Sequence, residues 1–566
     1  MFATTGNSEE TIGSPPSIGQ SSITFNSMRF ARTFPSIVSR AVWRTISTNA
    51  LKCKAETVTA TKRDEYYKNI SAQTQNFNEK PSGWNEALPF EAIPGPKSTV
   101  ILTVMGLLSL MGLKTDVSVI DMNKKLQKRY GDIVNIGKPI GKRPLVFVYN
   151  PNDMEHIFRN AGPYPIRNGL EAVTYYRTKV RPEVYKGVGG VALVHGEEWF
   201  KYRSMANPIL MQPRTTQRYI RTMDTVANDL VKNIRCLAKE RQNNEMPEDF
   251  QNELYKWSLE SVGIVAFNRR LGCLKLDLEK GSEAQRFITS VVKSLDMLYY
   301  LDVLPHVWRI FSTKHWKEYV ECSNVLTDIA LKYIDEALAE NVPEDVPEHE
   351  LSVLHKLLRV DKQFALTMVI DMVAAGVDTT GKTLAAALYF LAKNPEKQAR
   401  LREEAIKKSS RTKFSRHGRS PGQISLSESD YKRNHKVGPN RYRKLEANHQ
   451  GFGYQKNVDV VAVNFLSSRD SDQYKEPDKF IPDRFLRTTT DEYSVKNAHP
   501  FATLPFGHGP RSCIGKRLAN LELEVAIAKI CRNFELTWPH EDMKFDIKLL
   551  YGIADPLKLR VKPLQA

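Results

Sequence analysis

A mainly α-helical chain carrying a few small β-sheets is the fold class this sequence predicts, and three observations predict it. Residues 218–236, 252–272 and 323–340 place apolar side chains at the three- and four-residue spacing of one helix face. Residues 364–393 form the longest apolar periodic run, long enough for a central helix. Strand signals are short by comparison: RPLVFVYNP, residues 143–151, is a β-branched run closed by Asn-Pro.

The elements follow in chain order. Residues 28–55 carry Arg29, Arg32, Arg40 and Arg44 among Phe30, Phe34, Ile37, Val38, Val42 and Trp43, with many Ser and Thr. This arginine-rich, acid-poor amphipathic pattern is that of a mitochondrial transit peptide, with a disordered basic tail as the plainer alternative. Glu9 and Glu10 suit a presequence poorly, so translation from Met28 is an alternative to Met1. No uninterrupted apolar stretch of about 20 residues precedes the main domain, as a membrane-spanning start requires. The run TVILTVMGLLSLMGL, residues 99–113, is shorter and reads either as a core helix or as an interfacial patch on a membrane. GEEWFKYRSMANPILMQ, residues 196–212, reads as a helix with Trp199 and Arg203 on one face.

The 364–393 helix contains a conflict. Its middle is AAGVDTT, Ala374 to Thr380, and Gly, Asp and Thr are poor helix-interior residues. Such conflicts are expected at functional sites. Hydroxyls there can bond back to carbonyls and open the helix locally, while close packing through small residues is the structural alternative.

FGHGPRSCIG, Phe506 to Gly515, sets Cys513 in a glycine-rich loop running into a helical segment. Gly509 and Gly515 let backbone pass close to a flat macrocycle. A thiolate near a helix N-terminus is favoured by N–H groups and the dipole, and Arg511 offers a planar fork to a carboxylate. The setting suits a haem iron held by a cysteine thiolate.

These residues resemble the haem-binding signature of the cytochromes P450 at Phe506, Gly509, Arg511, Cys513 and Gly515. The resemblance spans about residues 90–560 and is closest to the arthropod mitochondrial type. It implies a helical bundle enclosing haem b, with a β-rich region, and iron ligation by Cys513. Asp378 and Thr379 match the acid and alcohol of proton delivery, and Trp199, Arg203 and Arg441 match propionate-binding positions. IPGPK, Ile93 to Lys97, matches the opening of the catalytic domain, and EPDKFIPDRF, Glu476 to Phe485, the meander with its arginine, Arg484. The implied organisation is a transit peptide or basic tail over 1–55, a linker over 56–89 and a haem-thiolate domain over 90–566.

The pattern breaks once. The family's Glu-x-x-Arg helix belongs between Ser409 and Lys436, but the text there has almost no apolar residues and no helical periodicity. A tolerated insertion, a P450 that no longer turns over and a mistranslated exon all fit. The near-family length with alien composition favours the last.

Charge and cysteines bound the function. Of the net +18, residues 11–55 supply +6 and residues 407–436 supply +7, so little basic excess remains elsewhere. Without a basic stripe interleaved with aromatics, a nucleic-acid partner is not expected. Six cysteines without a CxxC pair suggest a reducing compartment. The resemblance then implies insertion of one oxygen atom from O2 into an apolar small molecule, a steroid or a xenobiotic. Its electrons come from a ferredoxin of the adrenodoxin type with an NADPH reductase, on the matrix side of the mitochondrial inner membrane and in peripheral association with it. Lys516 and Arg517 match docking positions for an acidic ferredoxin. Residues 162–190 and the start of the AAGVDTT helix are expected to line the substrate pocket.

Overall fold

In the computed structural model the residues described are 90–96, 118–138, 143–412 and 458–565, apart from positions 277, 280, 305, 341, 343, 344 and 487. The transit-peptide region, the apolar run at 99–113 and Arg441 lie outside them. The long helices, in chain order, are α1 (Val119–Tyr130), α2 (Pro151–Arg159), α3 (Gly196–Leu210), α4 (Pro213–Lys239), α5 (Gln251–Phe267), α6 (Glu283–Leu298) and α7 (Lys314–Ala339). The short α8 (Val353–Leu358) precedes α9 (Lys362–Lys393), α10 (Pro395–Thr412) and α11 (Lys516–Asn533).

Local chemistry marks the boundaries. Side-chain oxygens of Ser282, Thr313, Ser352 and Asp361 each accept a backbone N–H in the first turn of α6, α7, α8 and α9, satisfying donors that a helix start leaves free. Pro213 opens α4, where its missing N–H does no harm. One face of α4 then buries Tyr219, Met223, Val226, Leu230 and Ile234, the periodicity legible in its sequence. Helix α5 stops at Phe267, short of the predicted 272, because Asn268 turns left-handed (φ 54°, ψ 27°). The following loop is held by buried Glu260, which accepts the backbone N–H of Leu271 (3.1 Å) and Cys273 (2.8 Å) and pairs with Arg270. Helix α10 extends to Thr412, three residues past Ser409, where the sequence shows no periodicity.

Helix α9 is the axis of the molecule. It packs against α5, α6, α7, α8 and α11, and its buried residues run from Phe364 to Ala392. Though long and apolar enough to span a bilayer, its sides are taken up by these neighbours. The main core cluster gathers α3 to α8 and α11 around it.

Three small sheets complete the fold. In the first, β2 (Leu145–Val148) lies between antiparallel β1 (Ile133–Gly137) and parallel β3 (Asp459–Ala462), with Leu145 opposite Asp459 and Val148 opposite Ala462. The Asn-Pro that closes the β2 run starts α2: Asn150 accepts from Asn152 N (2.9 Å), and Pro151 is the first helical residue. Near the C-terminus β4 (Phe534–Thr537) pairs with β7 (Arg560–Pro563), and β5 (Phe545–Ile547) pairs with β6 (Tyr551–Ile553).

Candidate active site

The loop before α11 is built by its backbone. Cys513 N donates to Phe506 O (2.8 Å), closing the loop, and Ser512 N to Gly509 O (3.0 Å), closing a tight turn within it. Gly509 has φ +70°, a conformation in which a side chain is strained. Cys513 emerges exposed, unlike buried Cys273, Cys322 and Cys531. A Cβ at Gly515 would stand 4.0 Å from the Cys513 sulfur. Gly515 is also the N-cap of α11 and carries no side-chain cap, so the helix end beside the thiol is open to an anion. Phe506 lies in this loop with the Lys516 ammonium over its ring, 5.6 Å from the centroid.

Beside the loop stands a cluster of cations and donors. Arg511 donates to the carbonyls of Val194 (2.6 Å), Val191 (3.2 Å) and Pro165 (3.2 Å), and its guanidinium lies 4.3 Å from the centre of the Trp199 ring. Arg203, from α3, donates to Ser512 O (2.8 Å) and Asn207 Oδ1 (2.7 Å). Two buried donors are left without partners: Trp199 Nε1 and Arg511 Nε. No described carboxylate pairs with Arg203 or Arg511. Burial pushes Arg511 down to about 10, with Arg167 and Arg203 adding repulsion, and burial likewise lowers Arg203. His195, within 3.4 Å of Arg511, is lowered by burial and then by Arg511 and Arg143. A pocket of buried positive charge with orphaned donors calls for an anion. The two propionates of a haem would fit that demand, with Cys513 exposed beside them.

Helix α9 supplies the other wall. Ala375, Thr379 and Thr383 are exposed at four-residue spacing on an otherwise largely buried helix, which leaves one open stripe along it. The chain here is not broken, contrary to the expectation of a local opening: α9 is continuous through Ala374–Thr380. Thr379 Oγ1 donates to Ala375 O (2.7 Å), four residues back, so its hydroxyl bonds to the ladder without interrupting it. The glycines serve packing. A Cβ at Gly376 would meet Val262 at 3.0 Å and one at Gly381 would meet the Tyr255 ring at 2.5 Å, so both let α5 approach.

Asp378 is turned away from Thr379, as adjacent helix positions must be. Its Oδ2 takes a 2.8 Å ion pair from Lys382, one turn on. Tyr255 lies beside it, its hydroxyl pushed up by burial first and by Asp378 second, and accepts from Gln251 (2.6 Å). Asp296, nearby, is raised by burial. The acid and the alcohol thus share one helix but face different neighbours.

A model of the cytochrome P450 family matches residues 96–557. The chain belongs to the cytochrome P450 family. This P450 is 35% identical over 540 residues to probable cytochrome P450 12a5, mitochondrial, of Drosophila melanogaster, covering 91% of this chain and 98% of the relative. It is 31% identical over 512 residues to probable cytochrome P450 12b2, mitochondrial, of the same species, covering 88% and 94%. To cytochrome P450 CYP12A2 of Musca domestica it is 32% identical over 499 residues, covering 85% and 92%. Membership makes it a haem-dependent monooxygenase with the P450 fold.

The structure thus brings Trp199, Arg203, Phe506, Gly509, Arg511, Cys513 and Gly515 together, with Thr379 on a helix packed against α11. Sequence reading missed Lys382, Tyr255 and His195. Lys382 had a signal, its place four residues after Asp378; Tyr255 and His195 come from other elements and had none. In the meander, Arg484 is buried without a carboxylate partner among the described residues. It donates instead to the carbonyls of Lys475 (3.1 Å), Glu476 (3.1 Å) and Lys479 (3.5 Å). Its neighbour Asp483 ties the meander to α10 through Arg400 (2.7 Å) and Lys397 (3.7 Å).

Proposed function

We propose that this P450 inserts one oxygen atom from O2 into an apolar small molecule, a steroid or a xenobiotic, with haem b ligated by Cys513. The observation that carries the reading is the cation cluster with orphaned donors, Trp199 Nε1 and Arg511 Nε, beside the exposed Cys513. Trp199, Arg203 and Arg511 would hold the propionates, joined by Arg441 from outside the described residues. Once bound, haem supplies the activation of O2, which a thiolate ligand favours. The protein's own part is placement. The Thr379 hydroxyl, on the open stripe of α9, would hold a proton at Oγ1 for the reacting oxygen; for Asp378 to replenish it, the carboxylate would have to leave Lys382 and turn from the α5 side. Apolar substrate would lie against Ala375 and Thr379, under the loop 162–190.

Electrons would come singly from an adrenodoxin-type ferredoxin and its NADPH reductase. Lys516 and Arg517, both exposed at the start of α11, support a basic docking face. The mitochondrial names of the relatives, together with the arginine-rich presequence pattern, support a transit peptide over 1–55, a linker over 56–89 and a haem domain over 90–566. Exposed Ile310 and Phe311 support peripheral association with the matrix side of the inner membrane.

A second reading, a haem-binding P450 relative without turnover or a defective gene product, is favoured by Arg484. No described carboxylate takes up the role of the absent Glu-x-x-Arg glutamate. The carbon monoxide difference spectrum of the dithionite-reduced chain, followed by substrate oxidation with NADPH and ferredoxin, tests both. A thiolate-type Soret band that Cys513→Ser abolishes, with oxidation, is expected. The band without any oxidation would favour a haem-binding relative without turnover, and no band would favour the defective gene product.

A further inference from the structure

A cleft of about 240 Å³ opens where the start of α4 meets the segment leading into α8. Gln212, Arg214, Glu348, His349 and Lys356 line it. None of them touches Cys513, Arg511 or the open stripe of α9.

Three observations point to an anion here. First, Lys356, on α8, is 8% exposed, and its ammonium makes no hydrogen bond or ion pair among the described residues. Burial pushes its pKa down, Arg218 adds to the fall and Glu348 opposes it. Its stem is buried while the ammonium opens on the cleft, where an anion would offset its partial desolvation. Second, α4 has 27 residues, and no side chain caps its N-terminus. Gln212, the N-cap residue, makes no capping bond, and the Thr215 hydroxyl is turned back to Ile209 O (2.9 Å). The positive end of a long helix is therefore left for a ligand. Third, Arg214, exposed beside it, has no partner among the described residues, while Arg218 is fixed on the carbonyl of Glu350. Against Arg214, Lys356 and the helix end stands one lining carboxylate, Glu348, with Glu350 outside the lining and 3.7 Å from His349.

We propose that this cleft binds a phosphoryl group, Lys356 and Arg214 gripping its oxygens at the N-terminus of α4. A phosphate monoester carries close to two negative charges and three acceptor oxygens, enough to satisfy an ammonium, a guanidinium and helix N–H groups together. A single carboxylate would leave part of the positive excess unanswered. The volume leaves room for a small alcohol moiety on the phosphate. The source is either a soluble phosphate ester or the headgroup of a phospholipid.

The test uses the full haem-loaded chain and two variants, Lys356→Met, which keeps the buried stem, and Arg214→Gln, which alters only an exposed side chain. The carbon monoxide difference spectrum of each variant serves as the check on folding. Calorimetric titration with glycerol 3-phosphate at fixed ionic strength is expected to give saturable binding of one per chain, weakened at least ten-fold in both variants. Co-sedimentation with phosphatidylcholine vesicles containing phosphatidic acid is the second arm. Binding there that needs both residues, with none to the soluble ester, assigns the phosphoryl group to a lipid headgroup. Absence of binding in both arms, or binding equal in parent and both variants, would overturn the proposal. Neither outcome depends on whether substrate is oxidised.

Discussion

Trp199 Nε1 shows how much one atom can demand. It is a buried donor without an acceptor among the described residues, and a hydrogen bond donated to a haem propionate is worth about 1.5–3 kcal/mol at such a site. Trp199→Phe keeps an aromatic ring under Arg511 but removes the donor and part of a buried indole. It is therefore expected to speed haem loss to an acceptor globin by roughly 10- to 100-fold, with a lower melting temperature of the apoprotein reporting the cavity separately. Glu522 offers a test of a different kind. It is fully buried on α11, no described cation pairs with it, and burial raises its carboxyl to about 8. Below the ordinary carboxylate range both folded and unfolded forms are protonated. Between there and about 8 only the unfolded form ionises, so stability falls as pH rises. Glu522→Gln should remove that slope, giving unfolding midpoints that match the parent near pH 4 and exceed it near pH 8, by about 1.4 kcal/mol per pH unit at most. Denaturant titration at several pH values measures it.

At the scale of elements, the ion pair of Arg177 and Asp371 joins the candidate substrate loop to α9. Arg177 Nη2 donates to Asp371 Oδ1 (2.6 Å) and Nη1 to Gly189 O (2.9 Å), while Asp371 Oδ2 accepts from Ala192 N (3.3 Å). The tethered loop presents the carbonyls of Val191 and Val194 to Arg511. Arg177→Met would leave a buried carboxylate alone at a cost of about 3–5 kcal/mol. Adding Asp371→Leu is expected to recover most of that stability without re-seating the loop, so haem retention should stay low in the double variant. Helix packing gives a second measurement. Gly381→Ala gains helix propensity of about 1 kcal/mol but drives a Cβ into the Tyr255 ring, and overpacking of about 1–3 kcal/mol wins. A lower melting temperature is expected.

The same elements show what the sequence could and could not disclose. The bundle helices were legible because their burial is periodic, and the Cys513 loop because its constraints are local. The end of α5 was not, since Glu260 reaches forward to fix the loop beyond it. The intact α9 was misread for a related reason: Gly376 and Gly381 signal a neighbour's approach, and the neighbour is a hundred residues away in α5. Asp378 and Thr379 are adjacent in the text, yet Lys382 and Tyr255 claim the acid and the open stripe claims the alcohol.

For the whole molecule, the parallel pairing of β2 with β3 sets the order of assembly. Leu145 meets Asp459 only after α2 to α10 have been made between them, and Pro144 O and Val148 O wait for the N–H groups of Asp459 and Val463. Contacts so remote in the chain close slowly. In pulsed hydrogen exchange during refolding, the Asp459 and Val463 amides are expected to gain protection after those of α5 and α9; simultaneous protection would contradict this order. A growing chain therefore presents an unpaired β2 edge until β3 has been made, a template for pairing with other chains. Aggregation on over-expression is expected to begin at this four-residue strand, which must wait for a partner encoded far along the message.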